Sequence, residues 1–343
     1  MKKAAKSMSN IDKKQTENDN KVKGNTKNIT GKASNKYTKK TKEERKQEMD
    51  QALDTLEQGV KGVFTSENYL NYLKFFSQFH NYSFNNVIMI LMQYPTASRV
   101  ASFRTWNKLG LKVKKGSKGI KVLVPIKYSY TKEKAVTDEY NHIKRDLNGN
   151  KITEEVEMSG LTFRLGNVFD ISQVDGKVPS LTNELKDNPK QLKRAVEALF
   201  KASNVPINYD YDLNSQTAYG YYSLSERAIY LRPDLNSMHI FKTLIHEKAH
   251  SMLHNKDQNK YTREEAEVQA ESTAFVVCNC LGFDTSEYSF GYIASWSENK
   301  DLKELKVSLK VIADTSNEIL NWIEETTELR GIDNNLNNMK EVI

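Results

Sequence analysis

Cysteine is scarce in this sequence, and long apolar segments are missing from it. With 2 cysteines in 343 residues, the chain cannot form a disulfide framework. Its longest apolar run, residues 87–92, is far shorter than a membrane span. The first residues, MKKAAKSMSNIDKK, are basic but lack the apolar stretch of a signal peptide. We therefore expect a cytoplasmic protein that makes no membrane contact.

Large apolar side chains are also nearly missing from the first 40 residues. Residues 1–46 hold 15 Lys/Arg against 5 Asp/Glu, whereas the whole chain has a formal net charge of +7. A segment of this composition cannot bury enough surface to offset the entropy that ordering removes. We predict a disordered basic arm over residues 1–41. It serves either as a solubilising tail or as a loose tether for nucleic acid.

Acidic residues are absent from residues 68–132, although 11 Lys/Arg and 12 aromatic residues occur there. Basic side chains interleaved with aromatic ones suit single-stranded nucleic acid, because cations follow the phosphates and rings stack on exposed bases. The helically spaced phenylalanines of this region fit a buried core instead. The region therefore predicts a surface for single-stranded DNA, with some of its rings beneath that surface.

Lysines cluster in KVKKGSKGIKVLVP, residues 112–125. Apolar residues on both sides of Gly116 and Gly119 predict a local hairpin that leaves these lysines facing solvent. Two rings in polar surroundings are the candidates for stacking on bases. The predicted DNA-binding residues are Tyr82, Arg99, Arg104, Trp106, Lys112, Lys114, Lys115, Lys118 and Lys121.

Periodicity and turn signals give a coarse secondary structure. Helices are expected over 42–62, 66–93 with a break at HNYSFNN, 188–203, 236–254, 262–281 and 299–327. Strands are expected over 111–128 and 161–175, with two short ones within 218–231. A polar insert at 131–158 contains Asn148-Gly149, a strong hairpin-turn signal.

The segment TLIHEKAHSMLH, residues 243–254, contains His-Glu-x-x-His. His246 and His250 lie four residues apart and project from one helix face, so they can bind one zinc ion. Glu247 lies one residue further round and is suited to act as a general base. The flanking residues are apolar, and buried histidines need partners that a metal supplies. Zinc is the expected metal, although another divalent transition metal fits the same ligands.

A third metal ligand is predicted in REEAEVQAESTAFVVC, residues 263–278. Glu267 and Glu271 lie four apart and share a face of this helix. One should bind the metal, and the other should accept a hydrogen bond from a ligating histidine. The pattern resembles that of gluzincins, and this resemblance implies Glu267 as the ligand and Glu271 as its support. The reverse assignment stays open, and His254 is a rival third ligand.

Two further features surround the predicted metal site. Cys278 and Cys280 lie in an apolar helix and are expected in the core. The segment ERAIYL, residues 226–231, is a candidate for the edge strand against which zincins align a peptide. Tyr221 or Tyr222 would then stabilise an oxyanion, the alternative being a half-buried strand.

Several longer segments resemble a known family. NYSFNNVIMILMQYP, FRTWNKLGLKVKKGSKGIKVLVP and FRLGNVFDISQVDG resemble the N-terminal domain of ArdC-like antirestriction proteins. KTLIHEKAHSMLH and EVQAESTAFVVCNCLGFDTSEYSFGYIASWS resemble the metallopeptidase-like domain that follows it. The resemblance covers roughly residues 45–327. It implies binding of single-stranded DNA by the first domain and a zincin fold related to the ImmA/IrrE group in the second.

These features together predict an α+β protein. After the arm we expect a small mixed domain at 42–178, a mostly helical zincin-like metallopeptidase domain with a short sheet at 185–330, and a tail at 331–343. The resemblance implies an antirestriction protein of a conjugative plasmid or integrative element that protects incoming DNA. The alternative is a cytosolic zinc metallopeptidase that cleaves a regulatory or DNA-bound protein. A host restriction or regulatory protein is then a further partner.

Overall fold

The computed structural model describes residues 40–176, 189–215, 218–254, 262–285, 287–288 and 290–327. The predicted basic arm, apart from its last two residues, and the predicted tail lie outside the described residues. So does most of the predicted boundary between the two domains. The described residues from Lys42 onward form one compact unit.

Helices make up most of the described chain. They are α1 (Lys42–Val63), α2 (Ser66–Gln78), α3 (Phe84–Gln93), α4 (Phe103–Lys108), α5 (Pro189–Ala202), α6 (Ser237–Leu253), α7 (Arg263–Cys280), α8 (Ile293–Ser297) and α9 (Leu302–Thr326). Their starts follow from local chemistry, since Asn236 caps α6 and Thr262 caps α7 with side-chain oxygens that accept backbone N–H groups. Glu264 and Glu265 lie in the first turn of α7, where the helix dipole favours acids.

Within the described residues, three small sheets accompany the helices. The strands are β1 (Val100–Ser102), β2 (Lys112–Val113), β3 (Ile120–Ala135), β4 (Thr153–Asp170), β5 (Val174–Asp175), β6 (Ile207–Tyr209), β7 (Gly220–Ser223) and β8 (Ala228–Leu231). The first sheet is antiparallel with the order β1-β4-β3, β2 pairs with β5, and the third sheet has the order β6-β8-β7.

The long β3–β4 hairpin is the main departure from the predicted strands. β2 pairs with β5 and not with β3, so the local hairpin predicted around Gly116 and Gly119 is wrong. β3 instead pairs with β4 over its whole length, through much of the segment predicted as a polar insert. Its far end does turn at Asn148-Gly149, where Gly149 has φ 82° and the Asp146 carboxylate accepts two backbone N–H groups.

Two amide side chains of α3 hold the outer edge of β3. Asn86 exchanges two hydrogen bonds with the backbone of Leu123, and Gln93 exchanges two with Lys121. These amides satisfy backbone groups that an edge strand would otherwise leave unpaired. The hairpin is therefore fixed to the helices at its base.

Two hydrophobic clusters share α7 and α9. The first contains α1, α2, α3 and the base of β3 together with Val268, Phe275 and Leu309. The second contains α5, α6 and β8 together with Ala274 and Ile319. Opposite sides of α7, and successive parts of α9, thus belong to different clusters. Helices α1, α2 and α3 therefore share a cluster with α7, the helix that carries the predicted third metal ligand.

The predicted fold class is confirmed, because the chain is α+β with small sheets, and the sequence placed the long helices within a few residues. Cys278 and Cys280 are free and buried, as expected of core residues. No helix in the described ranges has the length and apolarity needed to cross a bilayer.

Candidate metal centre and nucleic-acid surface

Helices α6 and α7 bring three donor atoms together. His246 and His250 lie on one face of α6, and their Nε2 atoms are 3.1 Å apart. The Glu267 Oε2 atom of α7 lies 3.5 Å from Nε2 of His246 and 3.7 Å from Nε2 of His250. The three residues form a group in which the potential ligand atoms all lie within 4.8 Å of one another.

The spacing of these donors fits a single metal ion. Ligands about 2.0–2.1 Å from a tetrahedral zinc are roughly 3.3–3.5 Å from each other. The observed distances of 3.1, 3.5 and 3.7 Å bracket that range. Two imidazoles and one carboxylate are also a donor set that zinc and related divalent metals accept.

Charges within this cluster shift the pKa values of its members. The hydrogen bond from His246, with the imidazole of His250 close by, holds the pKa of the Glu267 carboxyl far below its usual value. Burial opposes a charge on His246, but the hydrogen bond to Glu267 and the nearby carboxylates raise the pKa of His246 overall. An ionised glutamate thus faces two imidazoles at the place where a cation would be stabilised.

Glu247 lies behind the histidines in an open cleft of about 420 Å³. The cleft is lined by residues of α6, α7 and β7 and their neighbours: Tyr219, Gly220, His239, Lys242, Thr243, His246, Glu247, Glu267, Glu271, Glu287 and Tyr288. Glu247 is 7% exposed, and burial raises the pKa of its carboxyl. The backbone N–H of Tyr222 donates a hydrogen bond to it. This position, next to the donor cluster and with a raised pKa, suits a general base.

Glu271 does not contact the histidines in the way that the sequence predicted. Its carboxylate accepts a hydrogen bond from the Tyr292 hydroxyl, and burial raises the pKa of Glu271. Of the two glutamates, Glu267 is the one that faces both histidine Nε2 atoms. The expected hydrogen bond from a histidine to Glu271 is therefore replaced by a contact with Tyr292, a residue that no sequence pattern indicated.

His254 lies against the far side of His250 and is not part of the donor cluster. Its Nδ1 atom is 3.0 Å from Nδ1 of His250, and its Nε2 atom is 3.3 Å from the amide oxygen of Gln269. The Gln269 amide nitrogen donates to the carboxylate of Glu265, which fixes the orientation of the amide. The Gln269 oxygen can only accept, so His254 donates to it from Nε2 and its Nδ1 becomes an acceptor.

This chain of contacts determines the tautomer of His250. Burial lowers the pKa of His254 to about 4, so its ring is neutral near pH 7. His250 then donates from Nδ1 to His254, and the lone pair of its Nε2 faces Glu267 and His246. The i, i+4 spacing of His250 and His254 was the available signal for this role.

The edge strand beside the cleft is β7 and not the strand of ERAIYL. β8, which contains most of that segment, is the central strand of its sheet, whereas β7 forms one edge. Gly220 of β7 lines the cleft. The Tyr221 hydroxyl is bound to Asp210, so the predicted oxyanion role of this tyrosine has no support here.

The predicted lysines lie around a tight turn between β2 and β3. Lys112, Lys115 and Lys118 are exposed, and Lys121 is half-buried on β3. Lys114 is exposed and donates from Nζ to the Ser172 carbonyl. Gly116, with φ 88°, closes the turn. Arg104 is exposed on α4, and Arg99 is half-buried just before β1.

The predicted stacking role of Trp106 is wrong. Trp106 is 1% exposed and packs with Ala101, Leu111 and Val174. Its indole N–H donates to the Phe169 carbonyl at 2.9 Å. Tyr82 is half-buried, and its hydroxyl donates to the Val100 carbonyl. Both polar groups point inward, so polar neighbours in the sequence did not indicate exposed rings.

Exposed rings occur further out on the β3–β4 hairpin. Tyr128, Tyr130 and Phe163 are 47%, 42% and 49% exposed. The alternating sequence YSYTKEK, residues 128–134, was the signal that could have identified the two tyrosines, because alternate residues of a strand share a face.

Comparisons with known proteins agree with the resemblance in the sequence. Residues 39–169 match the family model described as the N-terminal domain of anti-restriction factor ArdC. The match lies in the part of the chain whose sequence resembles the N-terminal domain of ArdC-like antirestriction proteins.

Similarity to known proteins also extends beyond this region. An uncharacterized protein of Bacillus anthracis is 29% identical over 325 residues, which are 84% of this chain and 54% of the relative. The chain thus spans about half the length of this curated relative. The metal-free and Mn(II)-bound crystal structures of antirestriction ArdC from plasmid R388 are each 20% identical over 71% of this chain. The aligned regions cover 84% and 83% of the two solved chains, and the TM-scores are 0.39 and 0.40.

Proposed function

We propose that this chain binds single-stranded DNA and acts as an antirestriction protein. The observation that carries the proposal is the cluster of exposed lysines around the turn at 114–117, within the region matched to the ArdC N-terminal domain. Solvent-exposed cations on a short turn can contact successive phosphates of a flexible strand. The setting we propose is the cytoplasm of a cell that receives a conjugative plasmid or integrative element, with a host restriction protein as the opposing partner.

Binding is tested with the full chain and a labelled oligothymidylate of about 16 nucleotides, the upper site size of one binding module. Anisotropy at low salt should show saturable binding, and the triple variant Lys112→Ala/Lys115→Ala/Lys118→Ala should bind more weakly. Lys190→Ala/Lys193→Ala/Lys201→Ala removes three exposed lysines of α5 and is the matched control. Failure of the unmodified chain to bind would refute the proposal. Equal losses in both triple variants would reduce it to a nonspecific charge effect.

The second part of the proposal is a divalent metal at the donor cluster, with zinc as the first expectation. His246, His250 and Glu267 would hold it, and a metal bound there supplies Lewis acidity and a lowered pKa for water. The Nδ1 contact with His254 keeps His250 in the tautomer that a metal needs. Purified protein should then contain close to one metal ion per chain, and His246→Ala should lose it.

Peptidase activity is the alternative function, and one observation favours it. The buried Glu247 lies beside the donor cluster and accepts a backbone N–H of Tyr222 on the edge strand β7. An edge strand beside a cleft can pair with an extended peptide, and Glu247 can take a proton there.

Glu247→Gln separates the two functions. It should retain both the metal and the affinity for single-stranded DNA. If this variant still protects DNA in cells that restrict it, protection depends on DNA binding. If protection is lost while the metal and DNA binding remain, peptidase chemistry is the function.

A further inference from the structure

The outer part of the β3–β4 hairpin extends beyond the hydrophobic core. At its base Ile120, Val122 and Val124 are buried. From residue 125 on β3 to residue 164 on β4, every side chain is exposed or half-buried. The pairing between the strands nevertheless continues to Ala135 and Thr153. The described residues therefore leave an ordered ladder, the hairpin extension, open on both faces.

The two faces of this hairpin extension differ in charge. Directly paired residues share a face, so the register defines a tyrosine face with Tyr128, Tyr130, Lys132, Lys134, Met158 and Arg164. Its three basic residues are accompanied by one acid, Glu154. The opposite, glutamate face carries Lys127 and the three acids Glu133, Glu155 and Glu157. Only the tyrosine face is complementary to a polyanion.

A glycine shapes the ring surface on the tyrosine face. Tyr128 pairs with Gly160, and a Cβ added at Gly160 would lie 2.5 Å from Cζ of Tyr128. The Tyr128 ring therefore lies over the neighbouring strand, in the space that the side chain of any residue other than glycine at position 160 would fill. The Tyr128 and Tyr130 rings are neighbours, with centroids 5.8 Å apart and planes tilted by 30°. Both keep an exposed surface on which a base can stack.

We propose that the tyrosine face of the hairpin extension is a binding site for single-stranded DNA, with bases stacked on Tyr128 and Tyr130. Lys132 and Lys134 lie on the same face beyond the rings, and Arg164 lies on the side of the core, so cations flank the rings at both ends. This is the combination of stacking surfaces and backbone cations that unpaired strands require. The inference rests on the proposed function, because it specifies where the bases of that DNA are held.

The test compares variants of the full chain in the oligothymidylate assay. Tyr128→Ala/Tyr130→Ala should weaken binding at least tenfold, given the stacking contribution of each ring, and Tyr128→Phe/Tyr130→Phe should bind like the unmodified chain. Gly160→Val keeps both tyrosines and every charge but fills the space under Tyr128. It should therefore reproduce part of the loss. Circular dichroism and thermal melting show whether each variant is folded.

Phe163→Ala is the matched control, because it removes an exposed ring from the glutamate face of the same hairpin. Its DNA affinity should be unchanged. Equal losses in Phe163→Ala and in the tyrosine variant would overturn the assignment of the face. If the lysine-turn variant loses affinity while the tyrosine variant does not, the inference fails and the proposed function stands. If sedimentation shows self-association that depends on the tyrosines, with DNA affinity unchanged, the face is a contact between copies and the inference is overturned.

Discussion

The donor cluster and the proposed DNA surface are built in opposite ways. The donor cluster holds side chains from two packed helices, and each ring nitrogen of His250 has a partner. The DNA surface lies on a turn and a two-stranded extension, where the side chains are exposed and their positions depend on few neighbours. Helix periodicity predicts the two i, i+4 pairs from which the first arrangement is built. The second depends on which rings are exposed, and exposure follows from tertiary packing.

Trp106 gives the sharpest test of this contrast. Trp106→Ala should destabilise the fold by about 3–5 kcal/mol, because it removes a fully buried ring and leaves a cavity, while the Phe169 carbonyl loses its donor. Tyr128→Ala, on the exposed extension, should change stability much less. Urea denaturation of the two variants measures the difference. Unchanged stability of Trp106→Ala with lost DNA binding would restore the stacking role that the structure argues against.

Glu267 and Glu271 of α7 test the donor-cluster side of the comparison through their effects on metal affinity. Glu267→Ala should lower metal affinity by about a hundredfold or more, since it removes a ligand, whereas loss of an outer contact costs about 10–100-fold. Glu271→Ala should lower metal affinity by about tenfold or less, because the Glu271 carboxylate is bound to Tyr292. Metal titration of the purified variants decides the order. A larger loss in Glu271→Ala would exchange their roles.

The sequence specified the parts of the molecule that depend on local spacing. Helices α1, α6, α7 and α9 follow from periodicity, and the donor set follows from two i, i+4 pairs on adjacent helices. Glu267 was distinguished from Glu271 only by resemblance, because both lie on one face and the choice depends on how α6 and α7 pack.

Long-range pairing and burial were beyond local patterns. β2 has too few residues to indicate its partner, and its pairing with β5 brings together segments about sixty residues apart in the chain. Trp106 has polar neighbours in the sequence but is enclosed by Ala101 of β1, Val174 of β5 and Leu111, which directly precedes β2. The extended β3–β4 ladder was missed because its tyrosines and lysines alternate with serine and glutamate. This composition indicated a polar insert and not a pair of strands.

His254 tests whether support around the donor cluster matters as the geometry indicates. His254→Ala removes the acceptor for the His250 Nδ1 proton, so metal affinity should fall by about tenfold. His254→Gln offers an amide oxygen as acceptor and should recover part of the loss. Glu264→Gln changes an exposed residue at the start of α7 and serves as the control. Equal metal affinity in His254→Ala and the unmodified chain would show that the contact does not position His250.

Salt dependence gives the smallest expected effect, and it separates the lysine turn from the tyrosine face. Each phosphate contact on a single strand contributes about 0.7 to the slope of log affinity against log salt. Lys112→Ala/Lys115→Ala/Lys118→Ala should therefore flatten the slope by up to about 2. Tyr128→Ala/Tyr130→Ala should lower affinity at every salt concentration and leave the slope unchanged, because stacking releases no counterions. Anisotropy titrations at several salt concentrations measure both. A flattened slope in the tyrosine variant would mean that the rings only position the neighbouring lysines.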